Sequence, residues 1–175
     1  AYSLNAKLYT STASGVLGLT RIYRPDGTGY TFFAHGTSLY SVNDSTGVTT
    51  AVDTGLTSGT QNIEIEYVND VLYYTDGIGK PRKYNFTSAS SVTAALGNTS
   101  NVMEHVGLLF YFDADDHTKS FYTNFADYET FTSTDFIYVP APKKSDKLTA
   151  MAKLNGVLYF FTQRNKHMLL GQDNA

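Results

Sequence analysis

The densest run of side chains able to do chemistry is Asp113-Ala114-Asp115-Asp116-His117. Alternating carboxylates on a loop can hold Ca²⁺ through oxygen ligands, but an EF-hand loop also needs a glycine at its sixth position and a closing glutamate. Counting from Asp113, those positions are Thr118 and Asn124. The run therefore reads as a solvated hairpin turn joining Phe112 to Lys119. Glu64, Glu66, Glu104, Asp127 and Glu129 are the other carboxylates of interest. Glycoside hydrolysis needs two of them to flank a sugar, and only a fold can bring such a pair together. Glu64 and Glu66 alternate with Ile63, Ile65 and Tyr67, which puts the acids on the opposite face of a strand. A charged outer strand is the simplest expectation for that pattern. His35, His105, His117 and His167 are far apart and form no H-x-x-x-H pair, so they are expected in packing or turn roles. No G-x-S-x-G elbow occurs, and Gly15 to Gly18 is not followed by G-K-[ST]. With no cysteine, disulfides, thiolate metal sites and cysteine nucleophiles are excluded. No catalytic residue, cofactor or metal site is expected, and the chain reads as a non-enzyme.

Charge narrows the partners. The 13 cations and 16 acids leave a net charge of −3, and the cations are scattered, whereas gripping phosphates requires them clustered. The tightest group, Lys80, Arg82 and Lys83, is expected on a solvated hairpin edge, where charge discourages strand pairing. No specific nucleic-acid partner is expected. No apolar run approaches the roughly 18 residues of a membrane span, and Ala1 to Leu8 shows no signal-peptide pattern.

Candidate elements follow from an internal repeat. Phe33 to Val42, Tyr67 to Asp76, His105 to Asp113 and Lys153 to Thr162 share one pattern: a strand end, a tight turn, then an aliphatic residue followed by aromatics. Leu8-Tyr9 is a remnant of the same pattern. The marker residues Leu39, Leu72, Leu109 and Leu158 lie 33, 37 and 49 positions apart, close to the roughly 40–50 of a propeller blade. Asn155-Gly156 suits a type I′ hairpin, and Asn69-Asp70 is a weaker version. Pro25-Asp26-Gly27 marks another turn.

The expected map has four units. Strands are placed near 18–24, 29–34, 37–43 and 47–52, then near 61–67, 70–75, 80–86 and 90–94. The third unit has 102–106, 108–113, 118–124 and 135–139, and the fourth has 147–154, 156–162 and 166–170. Ser88 to Leu96 is the best helix candidate, although its Ser-Ser-Val-Thr content suits a strand equally. The expectation is one all-β domain over 1–175, complete or cut from a longer chain. It is built of β-propeller-like, four-stranded blades, with a β-sandwich as the alternative. Aromatic runs such as Tyr73-Tyr74, Phe110-Tyr111-Phe112 and Tyr159-Phe160-Phe161 must face both sides of their strands, as blade packing requires.

Tyr122-Thr-Asn-Phe-Ala-Asp-Tyr-Glu-Thr-Phe131 resembles the "Y-S-[ND]-x-x-D-P-E-x-[WF]" segment of tailed-bacteriophage virion proteins. Leu148-Thr-Ala-Met-Ala-Lys-Leu-Asn-Gly-Val-Leu-Tyr-Phe-Phe161 is similar to that family's "I-T-G-L-x-x-[LF]-x-[GD]-x-L-[VY]-[VI]-F", and His167-Met-Leu-Leu-Gly171 to its "I-Y-x-L-x-G". Upstream, Thr20 to Arg24 and Ala34 to Tyr40 resemble its opening motif. Tyr128 stands where the family usually has Pro, and Ala150 where Gly follows Thr. The resemblance implies a structural role, as a nozzle, tail-tube or head–tail stabilisation component, with copies of the chain in a ring around the tail axis and neighbouring tail proteins as partners. It places the chain in the virion after synthesis in the bacterial cytoplasm. The alternatives are a lectin-like or receptor-binding module and a glycan-processing enzyme. A ring would be built through heterologous contacts. The expected contact elements are the Gly55 to Gly59 loop and the Asp127 to Lys147 insertion, whose arm carries Pro140, Pro142, Lys143 and Lys144.

Overall fold

A computed structural model describes residues 15–57, 62–92, 96–132, 134–140 and 146–169. The described residues contain no helix, and so none long and apolar enough to cross a membrane. They form four antiparallel sheets, each a simple meander, in a β-propeller-like arrangement. Blade one is β1 (Gly18–Tyr23), β2 (Gly29–His35), β3 (Ser38–Asn43) and β4 (Thr49–Asp53). Blade two is β5 (Glu64–Val68), β6 (Val71–Thr75), β7 (Arg82–Tyr84) and β8 (Ala89–Ser91). Blade three is β9 (Thr99–His105), β10 (Leu108–Asp113), β11 (Lys119–Tyr122) and β12 (Phe136–Tyr138). Among the described residues, blade four has three strands, β13 (Leu148–Leu154), β14 (Val157–Thr162) and β15 (Lys166–Leu169). The helix candidate resolves as β8, with residues 93–95 outside the described set.

The first strands lie side by side, β1 against β5, β5 against β9 and β9 against β13, which makes them the inner strands of an arc. Between successive blades sit three separate cores. Ile22, Phe32 and Leu39 meet Ile63, Leu72 and Tyr74. Tyr73 and Val92 meet Val102, Leu109 and Tyr111. Phe110 and Phe112 meet Leu148, Leu158 and Phe160. Adjacent residues of one strand thus serve different cores: Tyr74 faces blade one and Tyr73 blade three. Period-two alternation is why the aromatic runs are double or triple.

Leu39, Leu72, Leu109 and Leu158 are all fully buried, as expected. They are not all equivalent. Leu72, Leu109 and Leu158 lie on the second strand of their blades and face the blade before. Leu39 lies on the third strand of blade one and faces the blade after. The repeated motif marks a hairpin followed by a buried Leu, and in blade one that hairpin is β2–β3 rather than the first. Leu8-Tyr9 lies outside the described residues.

The turns explain the hairpins. Asn69 (φ 50°) and Asp70 (φ 58°), like Asn155 (φ 51°) and Gly156 (φ 75°), take the two positive φ values of a type I′ turn. The β9–β10 turn does the same with Val106 (φ 45°) and Gly107 (φ 80°). A β-branched residue is disfavoured there, because its Cβ crowds the carbonyl oxygen. Val106 is also 54% exposed, so its side chain contributes little packing. Val106→Asn is expected to stabilise the domain by about 1 kcal/mol, read as a higher urea midpoint. A lower midpoint would show that the valine packs in a way its exposure hides.

Candidate functional site

The inner strands concentrate the ionisable groups. Glu64 and Glu66 lie on β5, on the face toward blade three. This corrects the expectation of a charged outer strand: alternation chose the face correctly, but β5 is an inner strand packed between β1 and β9. The Glu66 carboxylate accepts a hydrogen bond from the backbone N–H of Glu104. Burial pushes the Glu66 carboxyl above the usual range, the Glu104 charge adds to the rise, and that hydrogen bond together with Lys153 opposes it. Glu104 is also desolvated, but bonds from Lys153 and the Gly107 backbone N–H outweigh this and hold its carboxyl below the usual range. The Lys153 ammonium donates to Glu104 Oε2 at 2.9 Å.

Two carboxylates with opposite shifts are the electrostatic pattern of an acid–base pair. Here, however, Glu66 accepts from the backbone and Glu104 accepts from both Lys153 and Gly107, so these groups join blades two, three and four. Beside them opens a polar cavity of about 430 Å³, lined by Asn62, Glu64, Thr75, Ser100, Asn101 and Thr149. Its amides and hydroxyls come from blades two, three and four, and among the described residues Glu64 is its one charged side chain. Glu64 lies on a solvent-exposed part of the strand, yet neighbouring atoms desolvate its carboxyl enough to raise it.

Other ion pairs also bridge blades. Arg24 Nε and Nη2 donate to the two Asp70 oxygens at 2.9 and 2.5 Å, while the guanidinium lies 4.3 Å from the Phe86 ring centre. The Tyr67 hydroxyl donates to Asp70 at 2.8 Å, and desolvation with that bond raises it to about 12. Arg82 pairs with Asp53, and Lys83 with Glu129. Two members of the expected solvated cation group are therefore cross-blade ties. The sequence signal was insufficient because their partners lie 29 and 46 residues away.

The acidic run closes its own loop. Asp113 Oδ1 accepts from the Asp115 and Asp116 N–H groups at 2.9 and 3.1 Å, and Asp116 Oδ1 accepts from the Thr118 hydroxyl at 2.8 Å. Among the described residues no group of three His, Asp or Glu side chains is arranged to hold a metal. Adding millimolar Ca²⁺ is expected to leave the melting temperature unchanged; a rise abolished by Asp115→Ala would overturn this. His105 is buried and packs 6.5 Å from the Phe110 ring, and burial lowers its pKa.

Most of the expected insertion belongs to blade three. Tyr128 packs on Tyr73, Phe131 lies 5.6 Å from Tyr111, and Phe136–Tyr138 forms the blade's fourth strand. Pro140 is exposed just beyond it, whereas Pro142, Lys143 and Lys144 lie outside the described residues. In the Gly55 loop, Leu56 is buried and the Thr57 N–H donates to Asp76 Oδ2, so its described part is tied down.

The end blades differ from the inner ones. The rear face of blade one carries Leu19, Arg21 and Tyr23 of β1, with Phe33 of β2 stacked on Tyr40 of β3 at 5.2 Å. The forward face of blade four carries Ala152, Tyr159 and Met168 in one cross-strand row and Ala150, Phe161 and Lys166 in the next. Leu19 is 69% exposed, Tyr23 59%, Leu154 60% and Met168 58%. None of the three cores includes residues from both blade one and blade four.

No protein-family model matches the chain, and a search of curated proteins finds no relative. Solved structures do share its fold. The computationally designed Ika4 protein superposes with a TM-score of 0.58 at 11% identity, over 91% of this chain and 92% of that one. The designed Ika8 protein gives 0.58 at 10% identity, over 85% of this chain and 43% of that one. A chain of the nidogen/laminin complex gives 0.58 at 12% identity, over 88% and 60%. At these identities the likeness extends to the fold alone.

Proposed function

We propose that the chain is a non-catalytic assembly block of a tailed-bacteriophage tail or head–tail connector, acting beside further copies and neighbouring tail proteins. The observation that carries the assembly role is the set of exposed apolar side chains on the two end blades, Leu19 and Tyr23 on blade one and Leu154 and Met168 on blade four. Isolated exposed apolar residues are ordinary, but a contiguous apolar face on a sheet marks a contact surface. The acid–base candidates add support, because Glu66, Glu104 and Lys153 are engaged with one another and with backbone. The virion assignment rests on the motif resemblance across Tyr122 to Phe161 and Thr20 to Tyr40.

An antiserum against the chain tests the virion assignment on particles from the phage that encodes it. Immunogold electron microscopy is expected to label one position on the tail, and absence of label from disrupted as well as intact particles would overturn the assignment. A second reading, as a glycan-binding module, is favoured by the polar cavity at Asn62, Glu64, Asn101 and Thr149. Amides and hydroxyls suit sugar hydroxyls, and binding on a glycan array that is lost in Asn101→Ala would favour it.

A further inference from the structure

We infer that the polar cavity where β5, β9 and β13 begin takes a hydroxylated amine, a sugar carrying a free ammonium group, with Glu64 as its counter-ion. This deepens the glycan-binding reading and rests on it. The cavity volume of about 430 Å³ lies within the range of small-molecule sites, roughly 300–1,000 Å³. At each blade junction a carboxylate finds a cation: Arg24 pairs with Asp70, Lys83 with Glu129 and Lys153 with Glu104. Glu64 differs. Desolvation pushes its carboxyl up, and among the described residues no hydrogen bond or ion pair offsets the rise. Among those residues no Lys, Arg or His lines the cavity. A ligand cation would supply the missing charge, whereas an anionic ligand would meet Glu64 with nothing to oppose it.

The hydrogen bonds of the lining point the same way. The Thr75 hydroxyl donates to the Ser100 carbonyl at 3.1 Å, and the Thr149 hydroxyl to the Phe161 carbonyl at 3.1 Å. Their protons are committed, so each offers a ligand only lone pairs. The ionised Glu64 carboxylate also only accepts, which leaves the Asn62 and Asn101 amides and the Ser100 hydroxyl as the described side-chain donors. An ammonium brings three donors and no acceptor, and sugar hydroxyls both donate to such oxygens and accept from the amides. No apolar side chain is among the described lining, so the methylenes of an alkyl amine would have nothing to pack on. A bare divalent ion fits less well, because a single carboxylate offers it little charge and the space far exceeds one ion.

The test uses the whole chain in titration calorimetry at about pH 6.5, between the ordinary carboxylate and amine ranges. Three disaccharides of one skeleton are compared: the chitosan disaccharide with free amines, its N-acetylated form, and cellobiose with hydroxyls in their place. The chitosan disaccharide is expected to bind about tenfold or more tighter than the other two. Glu64→Gln keeps the shape of the side chain and is expected to abolish that preference, with an unchanged circular dichroism spectrum. Equal binding of all three sugars, or a preference that survives Glu64→Gln, would overturn the inference and leave the glycan-binding reading standing. Binding of none of the three would overturn it as well, and the glycan array would still judge the broader reading separately.

Discussion

Asp53→Asn is expected to destabilise the domain by about 3–5 kcal/mol, the range for removing one partner of a buried ion pair. Asp53 ends β4 and its side chain is only 4% exposed. It accepts Arg82 Nε at 2.5 Å, Arg82 Nη2 at 2.8 Å, the Gly55 N–H at 2.8 Å and the Tyr74 hydroxyl. Tyr74 and Arg82 belong to blade two, so one carboxylate ties the outer strand of blade one to its neighbour. The asparagine keeps the shape but leaves the guanidinium, itself mostly buried, facing a neutral amide whose NH₂ repels it. A loss below about 1 kcal/mol in urea unfolding, the value typical of an exposed pair, would show that water shares this site.

The same group gives a pH dependence with a definite sign. Burial raises the Asp53 carboxyl, but the Arg82 bonds, the Tyr74 hydroxyl and the Gly55 N–H outweigh it, so the folded pKa lies below the ordinary aspartate value. The folded state therefore holds its proton less tightly than the unfolded chain does. The resulting stability is fully present above about pH 4 and is lost as pH falls through the folded pKa. Below about pH 4 the unaltered domain should lose stability more steeply than Asp53→Asn, measured as urea midpoint against pH. Parallel curves would mean that Asp53 has the same proton affinity in both states.

Leu109→Ala is expected to cost about 2–5 kcal/mol. Leu109 is fully buried among Tyr73, Val102 and Phe121, where blades two and three meet. Its backbone is fixed independently of the side chain, for its N–H donates to the Thr123 hydroxyl at 2.9 Å and its carbonyl accepts the Thr123 N–H at 3.0 Å. The strand cannot shift inward to fill the space, so the cavity stays open and the cost falls toward the upper half of the range. A loss below about 0.5 kcal/mol would show that the junction relaxes freely, unlike a close-packed core.

Much of the architecture was legible from short-range signals. Alternation of apolar residues within strands depends only on neighbours two apart, and turn chemistry depends on two or three residues, as at Asn155-Gly156 and Asn69-Asp70. Strand positions and the division into four units therefore followed from sequence, and so did the burial of the four marker leucines. The offset of Leu39 did not, because a hairpin motif is identical whether it joins the first and second strands of a blade or the second and third. Only sheet order distinguishes them.

The charged residues mark the other boundary. By itself the sequence determined the face of β5 on which Glu64 and Glu66 lie, since side-chain alternation is local. It could not determine that β5 is an inner strand, that Glu66 meets the Glu104 N–H, or that Lys83 reaches Glu129. Those facts depend on which blade lies beside which, a relation carried by contacts dozens of residues apart. The Asp113 loop is the opposite case: its hydrogen bonds span two or three residues, so its reading as a turn was available from spacing alone. Likewise, the aromatic runs signalled two-sided packing on every blade. Only the tertiary structure decided that the forward face of blade four and the rear face of blade one lie at the ends of the arc, where Leu19, Tyr23, Leu154 and Met168 are exposed.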